Sequence, residues 1–451
     1  MLLAIYLAEV QGIWTRKPNT KYRPYKASQV YTLQETMAEI RISQEIVVMT
    51  GSSWSPGFVQ ELLPSAERTA LLYQLSYLCL GQFPKLERLL RDRALETQML
   101  FGSSEAVLLK CVGTSQNLVS SLFPILMKAV EKNKPLLAVK YLEKARAWID
   151  DIIRAVEDMV NRYEQQNRSV ASCTSDVIQE KKETEKQRTQ KSEEMKSLDT
   201  AVGDLKNELD KTIKAIEEIE KNIEEKNNEL QNHVRDVSSR RHGLSILAAL
   251  VPFVGAIIKS IHEAATAPGA AAKTKALTSE LNRLSSEKCR LQNQHWTIQV
   301  KLTDLQLKVA NSKIQLGVIP SPVHLEEVQK CLSQIQQILI QLKKFWEKVG
   351  SLLDSLKEKT FVGEDLIDDL EELKEEFLIS IETAGKHWQS FGACCQRASG
   401  IFSVQSRDAY KFLETDPSTL SEAEWKEQYE SIMEKLKQIT PLGPSVPAIA
   451  E

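Results

Sequence analysis

The sequence predicts an all-α protein: an elongated bundle of long helices with a coiled-coil hairpin that carries a small apolar head or tongue. Three observations point there. Helix breakers are few, with 17 Gly and 15 Pro in 451 residues, and sparse breakers favour long helices over turn-rich sheets. Apolar residues recur at three- and four-residue steps over most of the chain. Two charge-rich arms carry apolar residues at steps of seven, the spacing that keeps one seam against a partner helix.

Along the chain, residues 1–28 read as an irregular segment, with Pro18 and Pro24 among scattered basic residues. The apolar start Met1–Ala8 has no basic flank and meets Glu9 at once, so it is not a clear signal peptide. A helical pattern runs from Val30 to Val48 through Leu33, Met37, Ile40 and Ile46. It resumes from Val59 to about Leu100 and continues, with kinks expected at Pro124 and Pro135, to about Tyr163. Ile149, Ile152, Ile153, Val156 and Val160 trace one face of that helix.

The first heptad arm follows. Met195, Val202, Leu209, Ile216, Ile223, Leu230 and Val237 are each seven residues apart. The run 176–241, if one helix, spans roughly 100 Å at about 1.5 Å per residue. A second arm repeats the spacing with Leu277, Leu284, Leu291, Ile298 and Leu305, and Leu281, Leu302 and Val309 fill its neighbouring column. Two such arms around one insert imply an antiparallel hairpin; pairing between chains through the first arm is the alternative. Beyond Pro322 an amphipathic helix runs to about Lys357, and an acid-rich helix starts at Glu364. Helical pattern continues to about Phe412, a last helix covers Ser421 to Ile439, and 441–451 reads as a disordered tail rich in proline. The organisation expected is therefore a helical tail from 29–240 and 277–440, with 241–276 as the apolar insert.

That insert carries the functional signal. Gly243–Ile258 holds no charge, and from Gly243 to Ala272 only Lys259 and Glu263 are charged. At the chain-wide 26% about eight charges would be expected. Leu244, Ile246, Leu247, Leu250, Val251, Phe253, Val254, Ile257 and Ile258 form its apolar face, flanked by Arg240, Arg241, His242, Lys259 and His262. A helix of this length is roughly 24 Å long, short of a hydrocarbon core of about 30 Å, and Pro252 and Gly255 interrupt it. It suits a hairpin, helical or β, that is packed away and inserts later. Position adds weight: at the tip of a polar hairpin the cluster is expected far from the main core, where an apolar patch marks a partner or a membrane.

The heptad arm Met195–Val237, the insert Gly243–Ala272 and the return arm Leu277–Val309 together resemble the α-helical pore-forming toxins typified by cytolysin A and the haemolysin BL and non-haemolytic enterotoxin components. The resemblance covers about a third of the chain directly and is architectural, resting on no short motif. It implies a form that shields an apolar tongue, membrane contact that releases it, and assembly of a homo-oligomer on the membrane, with or without other protein components. The alternative is an intracellular coiled-coil scaffold or adaptor that uses the insert as an interaction knob.

Other classes find little support. The formal net charge of −3 sets no strong field toward nucleic acid, and basic stretches are balanced by nearby acids. His233, His242, His262, His295, His324 and His387 show no metal-binding spacing. Neither a phosphate-binding glycine loop nor a nucleophile elbow occurs, so no enzyme activity, cofactor or small-molecule substrate is expected. Seven cysteines without C-x-x-C spacing argue against a disulfide framework or zinc, and Cys394–Cys395 read as core thiols. No run reaches the length of a confident membrane span. The chain is expected to be soluble when made, cytoplasmic or secreted without a clear signal peptide.

Overall fold

The structure is a computed structural model and describes residues 57–81, 83–185, 193–239, 242–253, 257, 260, 268–315, 319–320, 322–361 and 366–439. The irregular segment 1–28, the helix expected over 30–48 and the tail 441–451 lie outside the described residues. Helices α1 (Leu62–Leu80), α2 (Pro84–Asn117), α3 (Phe123–Glu131), α4 (Pro135–Glu185), α5 (Glu193–Ser239), α6 (His242–Leu250), α7 (Pro268–Gln315), α8 (Val323–Phe361), α9 (Leu366–Arg407) and α10 (Glu422–Gln438) account for nearly all of it. No strand occurs among the described residues.

The helices end where local chemistry ends them. The pattern expected to run unbroken from Val59 to Leu100 is cut after α1, because Gly81 is a contact point as well as a breaker. A Cβ there would meet the Tyr77 carbonyl oxygen at 2.5 Å and Pro417 Cγ at 2.6 Å. Pro84 then opens α2 at a position where its missing N–H costs nothing. Near Pro124 the helix is interrupted by a π turn, Leu118–Leu122, with Pro124 in the first turn of α3. Pro135 does not kink a helix as expected; it starts α4 after a tight turn. In that turn Lys134 N–H donates to the Ala129 carbonyl at 2.8 Å and Asn133 N–H to Val130 at 3.2 Å, with Asn133 at φ 49°. This is the Schellman arrangement, in which asparagine is among the few side chains tolerated in the left-handed region.

Cross-helix pairs fix the directions. Asn167–Ser333, Lys343–Glu157 at 2.8 Å, Arg146–Asp354 at 3.0 Å and Lys357–Glu143 at 2.9 Å step down α4 as they step up α8, so these two are antiparallel. Lys206–Glu326 at 3.8 Å and Lys344–Glu224 at 3.9 Å set α5 parallel to α8. Mostly exposed, such pairs contribute little energy each, but they establish register. The charge-rich run 176–241 is therefore not one rod: α4 ends at Glu185, and α5 starts at Glu193 and runs the opposite way.

The core sits around α1, which is buried on all sides (Leu62, Ala66, Leu72, Tyr73, Leu75, Leu78), the pattern of a central helix. Paired α4 and α8 cover it on one side, and paired α2 and α9 on another, with Phe101 edge-on to Phe402 at 5.2 Å. Several of its polar groups pair with one another. Gln166 donates to Thr97 at 2.8 Å and to the Arg93 carbonyl at 2.9 Å, Tyr73 and Thr97 share a 2.9 Å bond, and Ser104 pairs with Tyr163 at 2.9 Å. A capping box at Ser421 and Glu424 starts α10, whose Trp425 donates to the Leu78 carbonyl at 3.1 Å. All seven cysteines are free; Cys394 and Cys395 lie in the core with thiol pKa values pushed up by burial. The sequon asparagine Asn167 points its amide across the α4–α8 contact rather than into a loop.

The Asn133 turn makes a direct test of this geometry. Asn133→Val should lower stability by about 1–2 kcal/mol, whereas Asn133→Gly should leave it unchanged or raise it, as read from urea denaturation.

Candidate functional site

The seam residues close the hairpin within one chain. Helices α5 and α7 pack antiparallel, with Lys313–Asp199 at 3.3 Å near one end and His233 Nε2 3.2 Å from the Ala270 carbonyl near the other. Leu209 packs with Ile298 and Leu302. Further along, Ile223, Leu230, Val234, Leu277, Leu281 and Leu284 form a second cluster. Leu291 is buried, Val202, Ile216 and Val237 are half-buried, and so is Leu305, whose place in the seam is taken by Leu302 and Val309. Buried polar residues interrupt these arms: Thr212 and Asn227 on α5 and Ser285 on α7. The hairpin is thus held by short apolar patches rather than a continuous stripe.

The apolar insert follows α5, and its described part does not stand away from the core as the sequence reading expected. Helix α6 packs on α5, α8 and α9. Leu244 and Ile257 complete the hairpin cluster, while Ile246, Leu247, Leu250, Val251 and Phe253 join the main core. Pro252 lets this happen, because it stops α6 at Leu250 and turns Phe253 into an aromatic nest. Its ring lies 5.1 Å from Phe345, 5.7 Å from Trp388 and 5.8 Å from Phe391. Trp388 Nε1 donates to the Leu250 carbonyl at 2.8 Å, satisfying a helix-end oxygen that the proline break leaves open. Arg240, Arg241, Val254, Ile258, Lys259 and His262 lie outside the described residues, as do the side chains of Met195 and His242.

A second, polar contact ties the return arm α7 to α1 and α8. The Arg68 guanidinium stacks over Trp296 at 3.5 Å. Gln299 donates to Glu327, which also accepts from Lys330 at 2.8 Å. Lys288 bridges Glu61 at 3.3 Å and Glu220 at 3.2 Å. Burial holds Glu61 and Glu327 above the usual carboxylate range and pushes Arg68 down to about 10. Burial also lowers His295 to about 4, aided by Lys330 and Arg68, and lowers the buried His324 to about 4. Nothing in the sequence marked Phe345, Trp388, Phe391, Arg68 or Trp296 as partners of the insert or its arm. Their helical spacing signalled only burial, since contacts this far apart along the chain leave no local pattern.

Among the described residues no group of three His, Cys, Asp or Glu side chains is placed to hold a metal ion, and no helix is long and apolar enough to cross a membrane. Comparison with protein-family models finds no match, and comparison with curated proteins finds none either. Among solved structures the chain is similar to PaxB from Photorhabdus luminescens at 13% identity, over 70% of this chain and 96% of that chain, with a TM-score of 0.19. A likeness at that score carries no argument about activity. What the described residues establish on their own is an all-α bundle.

Two predictions follow from these contacts. Trp388→Phe keeps the aromatic packing but strands the Leu250 carbonyl, at a cost of about 1–3 kcal/mol; hydrogen exchange should rise in residues 244–253 before it rises in α1. The second concerns His324, which is neutral in the fold. Its stabilising contribution is complete above about pH 6.5 and is lost as pH falls toward 4, because the unfolded chain takes up a proton that the fold excludes. Glu61 and Glu327, with raised pKa values, shift stability the other way over falling pH. The histidine term is therefore read as a difference: His324→Met should remove about 2–3 kcal/mol of the loss between pH 7 and 4.5, measured by urea denaturation of both proteins.

Proposed function

We propose that this protein permeabilises membranes as an α-pore former, converting from a closed bundle to a membrane-inserted homo-oligomer by releasing the segment 243–272. The observation that carries the reading is the placement of an uncharged run between two antiparallel helices, whose described apolar side chains are covered by the protein's own core. Exposing Leu244, Ile246, Leu247, Leu250, Val251, Phe253 and Ile257 to water would cost on the order of 10 kcal/mol. Hydrocarbon replaces that cover at little cost, so release is coupled to lipid. The short helix α6 does not span a bilayer alone, which places the burden on a hairpin made with the rest of the insert, and on assembly of several copies. No catalysis, cofactor or nucleic acid enters this mechanism. The scaffold alternative needs the α5 seam for another chain, and α7 already occupies that seam.

Because Leu247 is buried in the core, Leu247→Asp would unsettle the closed fold as well as the inserted one, so it is the wrong test residue. Val254→Asp with Ile258→Asp places two carboxylates in the uncharged run instead. The double variant should bind liposomes yet release at least tenfold less entrapped dye than the parent chain. Undiminished dye release by the double variant would show that this run does not enter the bilayer.

A further inference from the structure

We propose that the turn between α3 and α4 is a docking surface for anionic phospholipid, and that it makes the first membrane contact at the end of the bundle from which the insert is released; the second half of this statement rests on the pore-forming reading, the first does not. Leu136 is 84% exposed, and Leu137 beside it is 37% exposed. An exposed leucine pair at a helix start is an unusual expense in water, and its surroundings say what it meets. Lys128, Lys132, Lys134, Lys140 and Lys144 lie within seventeen residues and are all exposed, against Glu131 and Glu143. Glu143 is already taken by Lys357. Lys128, Lys132, Lys134 and Lys140 form no ion pair among the described residues. A segment of net positive charge thus stands on a chain of formal charge −3. Exposed apolar side chains ringed by unpaired lysines match a surface that is negative at its headgroups and apolar just beneath them. An acidic protein groove would satisfy the lysines but leave Leu136 without a reason.

The turn is also rigid and well placed. The Schellman bonds through Asn133 hold Lys132, Lys134 and Leu136 on one short, fixed loop. Glu143 sits level with Lys357 near the end of α8, and Leu136 lies about 10 Å further along α4. Helix α5, parallel to α8 and paired to it at Glu224–Lys344, ends at Ser239 at the same end. The docking turn and the base of the insert therefore face the same way.

The test is co-sedimentation of the full chain with phosphatidylcholine vesicles and with vesicles containing 30% phosphatidylserine, at low and high salt. Preferential, salt-sensitive binding to the anionic vesicles is expected. Each lysine near such a surface is worth about a fivefold change in partitioning, so Lys132→Gln with Lys134→Gln should weaken binding by about 25-fold. Leu136→Ser should weaken it by about tenfold on both vesicle types, while melting temperatures stay unchanged because these side chains are exposed. Parent-like binding by both variants, or no binding of the parent to either vesicle, overturns the docking proposal. Dye release per bound molecule separates the two readings. Turn variants that bind poorly but leak normally per bound molecule keep both. A parent that binds through the turn and never leaks keeps the docking surface and removes the pore.

Discussion

The closed form depends on one fold-back: Pro252 ends α6 so that Phe253 enters the space between Phe345, Trp388 and Phe391. Without that turn an uncharged helix would continue off the end of α5 with no side chains to cover it. With it, the segment becomes the piece that joins two hydrophobic clusters, one inside the hairpin and one in the bundle. The hairpin has no continuous apolar seam of its own, and α7 is also attached to the bundle directly, by Trp296, Leu307 and Ala310 in the main core and by polar contacts through Arg68–Trp296, Glu327–Gln299 and Lys288 between Glu61 and Glu220. Part of the apolar attachment of the hairpin therefore runs through the very residues that would enter lipid. Releasing them loosens the hairpin and the insert together.

That coupling gives the polar contacts a purpose beyond stability. Buried charge pairs add little net energy, since desolvation offsets attraction, but removing one partner leaves an expensive unpaired charge. Such contacts specify one seating of α7 on α1 and α8 without gluing it there. A hairpin fixed by a long leucine seam and a broad apolar interface would be harder to detach. The buried Thr212 and Asn227 on α5 have the same consequence: the arm is specified, and weakly held.

Much of the fold was legible because it is helical and helices write their period into local sequence. The heptads of 195–237 and 277–305 announced two arms, and most of those residues, with Val234, Leu281 and Leu302 beside them, form the pairing of α5 with α7. The last helix was expected from Ser421, one residue before α10 begins. Misread features were those set by distant partners. Gly81 is held free of a side chain by Pro417 lying against it, and the opposite directions of α4 and α5 are hidden in a run of charges that looks like one rod. The insert was visible as an uncharged stretch, yet its seat was not, because the aromatic residues that receive Phe253 lie roughly a hundred residues further along the chain, on α8 and α9. Hydrophobic patterning shows which side chains are buried; it does not say against what.

The most direct examination of insertion is labelling with a carbene reagent confined to the bilayer interior, mapped by mass spectrometry on protein in water and on protein bound to liposomes. Insertion requires label to concentrate on peptides covering 243–258 only in the liposome sample, with Phe345 and Trp388 becoming accessible to aqueous reagents at the same time. Liposome-bound protein whose label avoids that segment, and whose Phe253 stays in its aromatic seat, would contradict the conversion.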